Sequence, residues 1–101
     1  MERNITKMKT NKIRIFVRKT DIERGIPFRS GLCPVALAMN RKTKKRWLVG
    51  DCVCGVVGSN NNCTKWIDLP SHVTDWISDF DADKPVIPFS FTLDLGNARK
   101  Y

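Results

Sequence analysis

The sequence predicts a single small α+β domain in which about two helices cover one face of a mostly antiparallel sheet. The first observation is size, because 101 residues with 42% hydrophobic and 28% charged side chains are typical of one globular domain. The second is a change of apolar period between residues 68 and 95, from helical spacing to strict alternation. The third is a series of β-prone runs between residues 47 and 69 with no helix between them.

The segment 68–95 predicts one helix, a short turn and one strand. The helix carries an apolar stripe at i, i+3, i+4 and i+7, and Pro70 suits its first turn. The stripe consists of Val73, Trp76, Ile77 and Phe80. The strand alternates apolar with polar or small residues, which indicates one buried face. Its apolar members are Ile87, Phe89, Phe91, Leu93 and Leu95. Since these two elements carry much of the aromatic mass, we expect the core between them.

The N-terminal part predicts a strand followed by a single helical turn. Residues 12–19 alternate between apolar and polar side chains, which is the strand period. Thr20 and Glu23 have the spacing of a capping box, and Gly25 can end a helix that starts there. A turn-rich loop is then expected up to the second helix.

The central part predicts a short helix and a three-stranded meander. Pro34 suits the first position of an apolar helix that ends between residues 40 and 43. Three β-prone runs follow at 47–49, 52–57 and 63–69, with turn residues between them.

The first eleven residues predict a basic flexible arm ahead of a domain that spans residues 12–101. No apolar run approaches the roughly 20 residues that cross a bilayer. The N-terminus also lacks the apolar block of a signal peptide. These features predict a cytoplasmic protein without a membrane partner.

Charge is distributed unevenly along the chain. Residues 1–46 hold fourteen Lys and Arg against three Asp and Glu, a net +11, whereas residues 47–101 hold four against seven, a net −3. Such asymmetry indicates an anionic partner, most often nucleic acid. The alternative is that the basic residues only keep a small protein soluble.

Two basic segments carry an aromatic residue and form the candidate surface for nucleic acid or another anionic partner. In the first strand, Phe16 lies between two arginines on the outward face, a pattern that open sheets use to stack bases. Residues 41–46 hold five basic residues in six, directly before Trp47. The candidate residues are Arg14, Phe16, Arg18, Arg41, Lys42, Lys44, Lys45 and Arg46. For the first strand, the alternative is that a loop covers the phenyl ring of Phe16. For residues 41–46, the alternative is a solvated connection between helix and strand, with Trp47 in the core.

The cysteines permit a zinc site but do not favour it. Cys33, Cys52, Cys54 and Cys63 could ligate zinc, yet none of them forms a C-x2-C pair. Buried or free thiols are therefore expected, with no metal and no cofactor. A disulfide that involves Cys63 is a further alternative.

Enzymatic chemistry has one candidate. Cys33 precedes a helix in a basic environment, so its pKa is expected to be depressed, and His72 is the single histidine that could serve as its base. The alternative is a small helix-capping residue. The aspartates of residues 75–83 suit a solvated face, or an acidic pole that orients the molecule against a basic partner surface.

Three sequence blocks carry a family resemblance: Ile22-x2-Gly25, the run CPVALA at 33–38, and LPxxVxxWIxxFDxxxPVxPFxF at 69–91. Together they resemble small uncharacterised proteins of bacteriophage and bacterial genomes. The resemblance implies a phage-type origin, a host-cell cytoplasmic location and a shared fold, but no activity. The N-terminal arm and the basic run depart from the pattern.

Three hypotheses follow. The first is a non-enzymatic binder of nucleic acid or of a nucleoprotein complex, such as a phage regulator or an inhibitor of host defence. The second is a protein-interaction module or a sponge for an anionic nucleotide. The third is a thiol enzyme that uses Cys33.

Overall fold

The computed structural model describes residues 12–50, 52–58, 63, 65–97 and 99–100, and the predicted arm at 1–11 lies outside them. Six strands and three α-helices are present in the described part. The strands are β1 (Lys12–Val17), β2 (Trp47–Val49), β3 (Val53–Val56), β4 (Lys65–Asp68), β5 (Phe89–Asp94) and β6 (Arg99–Lys100). The helices are α1 (Lys19–Arg24), α2 (Pro34–Thr43) and α3 (Ser71–Asp81), and a 3-10 turn spans Leu95–Asn97.

All strand pairs are antiparallel, and the strands form two sheets. β1 pairs with β5 in a two-stranded sheet, whereas the other four follow the order β2-β3-β4-β6. Helix α2 contacts both β1 and β2 and so packs against both sheets. The α+β class and the antiparallel pairing are confirmed. The division into two sheets could not be foreseen, because β1 and β5 come from distant parts of the sequence.

The core is one cluster of buried side chains from α2, α3, the β1-β5 sheet and strands β2, β3 and β4 of the second sheet. Ile15 pairs with Phe91 in the β1-β5 register, and both side chains are buried. Ala36 and Ala38 of α2 are also buried, and their small side chains allow the helix to approach the strands closely. Val73 and Ile77 bury the apolar stripe of α3 against this core.

The helix–strand unit at 68–95 departs from the prediction at its connection. Pro70 is the N-cap residue of α3, one position before the helix. Ile87 was expected on the buried face of the strand, but it precedes β5 and its side chain is 74% exposed. Its carbonyl oxygen accepts a hydrogen bond from Trp76 Nε1 at 2.9 Å. This bond shapes the connection, and the indole packs on Phe89 with ring centroids 4.8 Å apart.

The predicted Thr20–Glu23 capping box of α1 is wrong. Arg18 is the N-cap residue, and its backbone N–H donates to Asp21 Oδ2 at 2.8 Å. Gly25 does end the helix, but in extended backbone with φ −69°. A Cβ atom at Gly25 would lie 2.5 Å from Pro34 Cδ, so glycine is needed there because α1 and α2 approach closely.

Gly25→Ala is expected to destabilise the domain by about 1–3 kcal/mol, because the added methyl group overlaps the Pro34 ring. Gly31→Ala is the matched control, since its Cβ would meet Leu48 Cδ2 at an ordinary 3.4 Å. Urea unfolding of both variants measures the difference. Equal stability of the two variants would contradict the close packing of Gly25 on Pro34.

Candidate functional site

The outer face of the β1-β5 sheet exposes an aromatic ring. Strand alternation directs Ile15 and Val17 into the core, and it directs Arg14 and Phe16 outward. Phe16 is 55% exposed, so the alternative that a loop covers it is wrong. Across the sheet it faces the small side chain of Ser90, which leaves the ring face accessible.

Arg14 is held beside this ring by two neutral partners. Its Nη1 donates to Thr92 Oγ1 and its Nη2 to Ser90 Oγ, both at 2.9 Å. The two hydroxyls orient the guanidinium but do not balance its charge. Arg14 therefore presents a positioned positive charge on the exposed sheet face.

Arg41, in contrast, is engaged inside the fold. Its Nη1 donates to Asp21 Oδ1 at 2.6 Å, and its Nη2 donates to Asp21 Oδ2 and to the Phe16 carbonyl oxygen, both at 3.0 Å. Asp21 is buried, with 4% of its surface exposed. The hydrogen bonds that Arg41 donates to Asp21 raise the pKa of Arg41 above its ordinary value. The charge of Arg41 is thus balanced within the protein.

Two adjacent depressions meet at Phe16 and Arg18. One has a volume of about 380 Å³ and is completed by Ala38, Arg41 and Lys42. The other has a volume of about 640 Å³ and also contains Lys19. We call the exposed residues of these depressions, together with Arg14 on the same sheet face, the Phe16 surface. It consists of Arg14, Phe16, Arg18, Lys19, Arg41 and Lys42. Lys19 was not among the predicted site residues, although it follows Arg18 in the same basic run.

The remaining predicted basic residues, Lys44, Lys45 and Arg46, are not part of the Phe16 surface. Lys44, the C-cap residue that follows α2, has left-handed backbone with φ 63°, which redirects the chain. Lys45 lies with Ile13 and Thr43 at a separate cavity of about 260 Å³. Trp47 is buried and its Nε1 donates to Thr43 Oγ1 at 2.8 Å. The run at 41–46 therefore places its first two basic residues on the Phe16 surface and the later ones past the end of the helix.

The cysteines show no arrangement for metal binding or thiol catalysis in the described residues. Burial raises the pKa of Cys33, and the charge of Asp81 adds to this effect, so the expected depressed pKa is wrong. Burial also raises the pKa of Cys54 to about 12. All four cysteines are free thiols, and no group of three or more His, Cys, Asp or Glu side chains gathers to hold a metal ion in the described part. His72 is exposed and meets Phe89 edge to face.

The fold and site together define a small α+β domain with an exposed aromatic residue in a basic setting. No protein-family model, curated protein or solved structure matches the chain. The resemblance of its sequence blocks to phage and bacterial proteins stays a prediction. None of the described helices has the length and apolar character needed to span a membrane.

Arg41→Met is expected to cost about 3 kcal/mol of folding stability, because it leaves the carboxylate of Asp21 buried without its cationic partner. Asp21→Ala combined with Arg41→Met should cost less than the sum of the two single changes, since both charges are then removed. Chemical denaturation of the three variants gives the coupling energy. Lys42→Met is the matched control, because Lys42 is an exposed neighbour on the same helix, and its expected cost is within about 0.5 kcal/mol. A similar small cost for Arg41→Met would contradict the structural role of the ion pair.

Alkaline pH should destabilise the wild-type protein more than Cys54→Ala. The thiol of Cys54 stays protonated in the folded state up to about pH 12, whereas in the unfolded chain it ionises near its ordinary pKa of 9.0. Its contribution is therefore fully present below the ordinary pKa and is lost as pH rises toward 12, at up to about 1.4 kcal/mol per pH unit. Denaturation midpoints under reducing conditions test this. Cys52→Ala, at an exposed position, should keep the wild-type pH dependence, and an unchanged profile in Cys54→Ala would contradict the effect of burial.

Proposed function

We propose that this protein is a non-enzymatic binding protein whose Phe16 surface holds a single strand of nucleic acid, free or within a nucleoprotein complex. The observation that carries the proposal is the exposed ring of Phe16, with the guanidinium of Arg14 held beside it and further basic side chains at the adjoining depressions. Bases of a single strand can stack on such a ring, whereas bases of a duplex are already stacked on each other. The same ring without cations would suit many apolar ligands.

The cations supply the electrostatic part of the proposal. Arg14, Arg18, Lys19 and Lys42 are exposed on this surface, and Arg41 is balanced by Asp21. Guanidinium groups on each side of Phe16 along the chain, Arg14 in β1 and Arg18 at the N-cap of α1, suit phosphates that flank a stacked base. Four phosphate contacts would give a slope of about −3 in a plot of log affinity against log salt concentration for a single strand.

The partner class follows from this chemistry. A nucleoprotein complex that exposes a single strand would present both the base and the phosphates. From the resemblance to phage proteins, we propose that this nucleoprotein partner is a host-defence complex. The protein would then act as an inhibitor or regulator of that complex. Binding of a free nucleotide is the second candidate, favoured by the short length of the surface, and it should depend on the same residues.

Phe16→Ala is expected to weaken binding of a fluorescein-labelled single-stranded oligonucleotide about tenfold, because one stacked base contributes about 1–3 kcal/mol. Fluorescence anisotropy with RNA and DNA of one sequence, and with the matching duplex, measures the effect. The single strands should bind more tightly than the duplex. Unlabelled mononucleotide as competitor separates the nucleotide alternative, since it should not displace the oligonucleotide at equal concentration.

Phe28→Ala is the matched control, because Phe28 is an exposed phenylalanine outside this surface, with 80% of its surface accessible. Its affinity for the oligonucleotide should equal that of the wild-type protein. Arg14→Gln should weaken binding to all sequences alike. It should also reduce the slope of log affinity against log salt concentration by the amount that corresponds to one phosphate contact. Equal effects of Phe16→Ala and Phe28→Ala, or tighter binding of the duplex, would contradict the proposal.

A further inference from the structure

The side chain of Phe16 borders two depressions that different elements complete. Helix α2 contributes Ala38, Arg41 and Lys42 to the depression of about 380 Å³. The start of β5, residues 88–90, contributes to the depression of about 640 Å³. Phe16 belongs to both because β1 contacts α2 as well as β5. A ligand on this surface can therefore reach the exposed ring from the α2 side and from the β5 side.

Arg18 is the second residue that lines both depressions. It has extended backbone directly after β1, so strand alternation places it on the same side of the chain as Phe16. Its side chain is exposed, and none of the ion pairs between described residues involves it. Of the acidic residues of α1, Asp21 is paired with Arg41 and Glu23 lines neither depression. Arg18 thus offers a guanidinium where the two depressions meet.

Each depression also has an exposed lysine of its own. Lys42 lies on the α2 side and Lys19 on the β5 side. Both volumes fall within the range of roughly 300–1,000 Å³ that is usual for small-molecule sites, so each depression has room for a base with its sugar. The surface therefore consists of two depressions, each with one lysine, that share one aromatic ring and one arginine.

The repeat of a nucleic-acid strand matches this arrangement. Two neighbouring nucleotides have two bases, one phosphate that joins them and one further phosphate on each outer side. An aromatic ring has two faces, so a phenylalanine side chain can stack on two bases when it is inserted between them. Insertion separates the bases, and a single strand allows this at a lower cost than a duplex, whose bases are also paired.

We propose that the unit recognised by the Phe16 surface is a dinucleotide, an inference that rests on the proposed binding of a single strand. Phe16 is inserted between the two bases, and each depression holds one of them. Arg18 contacts the phosphate that joins the two nucleotides. Lys19 and Lys42 contact the two outer phosphates. Arg14 lines neither depression, so its partner is a phosphate outside the dinucleotide.

The first test compares two competitors that differ by one nucleotide. The dinucleotide pTpTp and the mononucleotide pTp, each with phosphates at both ends, displace the fluorescein-labelled oligonucleotide in fluorescence anisotropy. Their uridine counterparts are used if RNA binds more tightly than DNA. The dinucleotide should act at a concentration at least about tenfold lower, because a second base stacks and a third phosphate is bound. Equal competition by the two would overturn the dinucleotide unit. Oligonucleotide binding that Phe16→Ala leaves unchanged would instead contradict the proposed function itself.

A neutral linkage tests the role of Arg18. A methylphosphonate in place of the joining phosphate of pTpTp removes its charge and should weaken competition for the wild-type protein about tenfold. With Arg18→Gln, the phosphate and methylphosphonate forms should compete alike, because the guanidinium that distinguishes them is gone. Arg14→Gln is the matched control and should keep the preference for the phosphate form. A preference that survives Arg18→Gln would overturn the assignment of this phosphate to Arg18.

Circular dichroism shows whether the ring separates the bases. Two neighbouring 2-aminopurine bases give an exciton-coupled signal when they stack on each other. Saturation of such a dinucleotide with the wild-type protein should abolish this signal, whereas saturation with Phe16→Ala should leave it. Amide signals of the ¹⁵N-labelled full-length protein should shift on both sides of the ring, at residues 38–42 and 89–90. A retained exciton signal with the wild-type protein, or amide shifts on one side alone, would overturn the insertion of Phe16 between two bases.

Discussion

A buried carboxylate is the constraint on which the N-terminal half of the fold depends. Among the described residues, Asp21 is the charged side chain that is buried, and a buried charge must be paired and hydrogen-bonded. It accepts the backbone N–H of Arg18, which starts α1, and both terminal nitrogens of Arg41, near the end of α2. Arg41 in turn donates to the Phe16 carbonyl oxygen of β1. One ion pair thus fixes three elements relative to each other.

This constraint also determines what the Phe16 surface can do. Because the charge of Arg41 is paired with Asp21, Arg41 contributes less to phosphate binding than an unpaired cation would. Its side chain instead lines the depression that also contains Phe16 and Lys42. The other cations lie on both sides of Phe16 along the chain, with Arg14 held by hydroxyl groups and Arg18 at the start of α1. The surface therefore suits a ligand that combines an aromatic plane with anionic groups beside it.

The sequence predicts those features that depend on local period. β1, α2, α3 and β5 follow from apolar spacing, and even the outward direction of Phe16 follows from alternation. What it misses depends on contacts between distant residues. Arg41 and Asp21 lie twenty positions apart, so neither their pairing nor the loss of Arg41 as a free cation has a local signal. The N-cap at Arg18 was missed for a related reason: threonine is the better cap by propensity, but the position is set by the carboxylate of Asp21.

The net charge of the chain conceals an uneven distribution of charge over the described surface. Exposed basic side chains gather at the Phe16 surface, whereas helix α3 carries Asp75, Asp79 and Asp81 and no Lys or Arg. A basic surface attracts the phosphates that an acidic one repels. An anionic ligand of the kind proposed should therefore approach the domain from the outer face of the β1-β5 sheet.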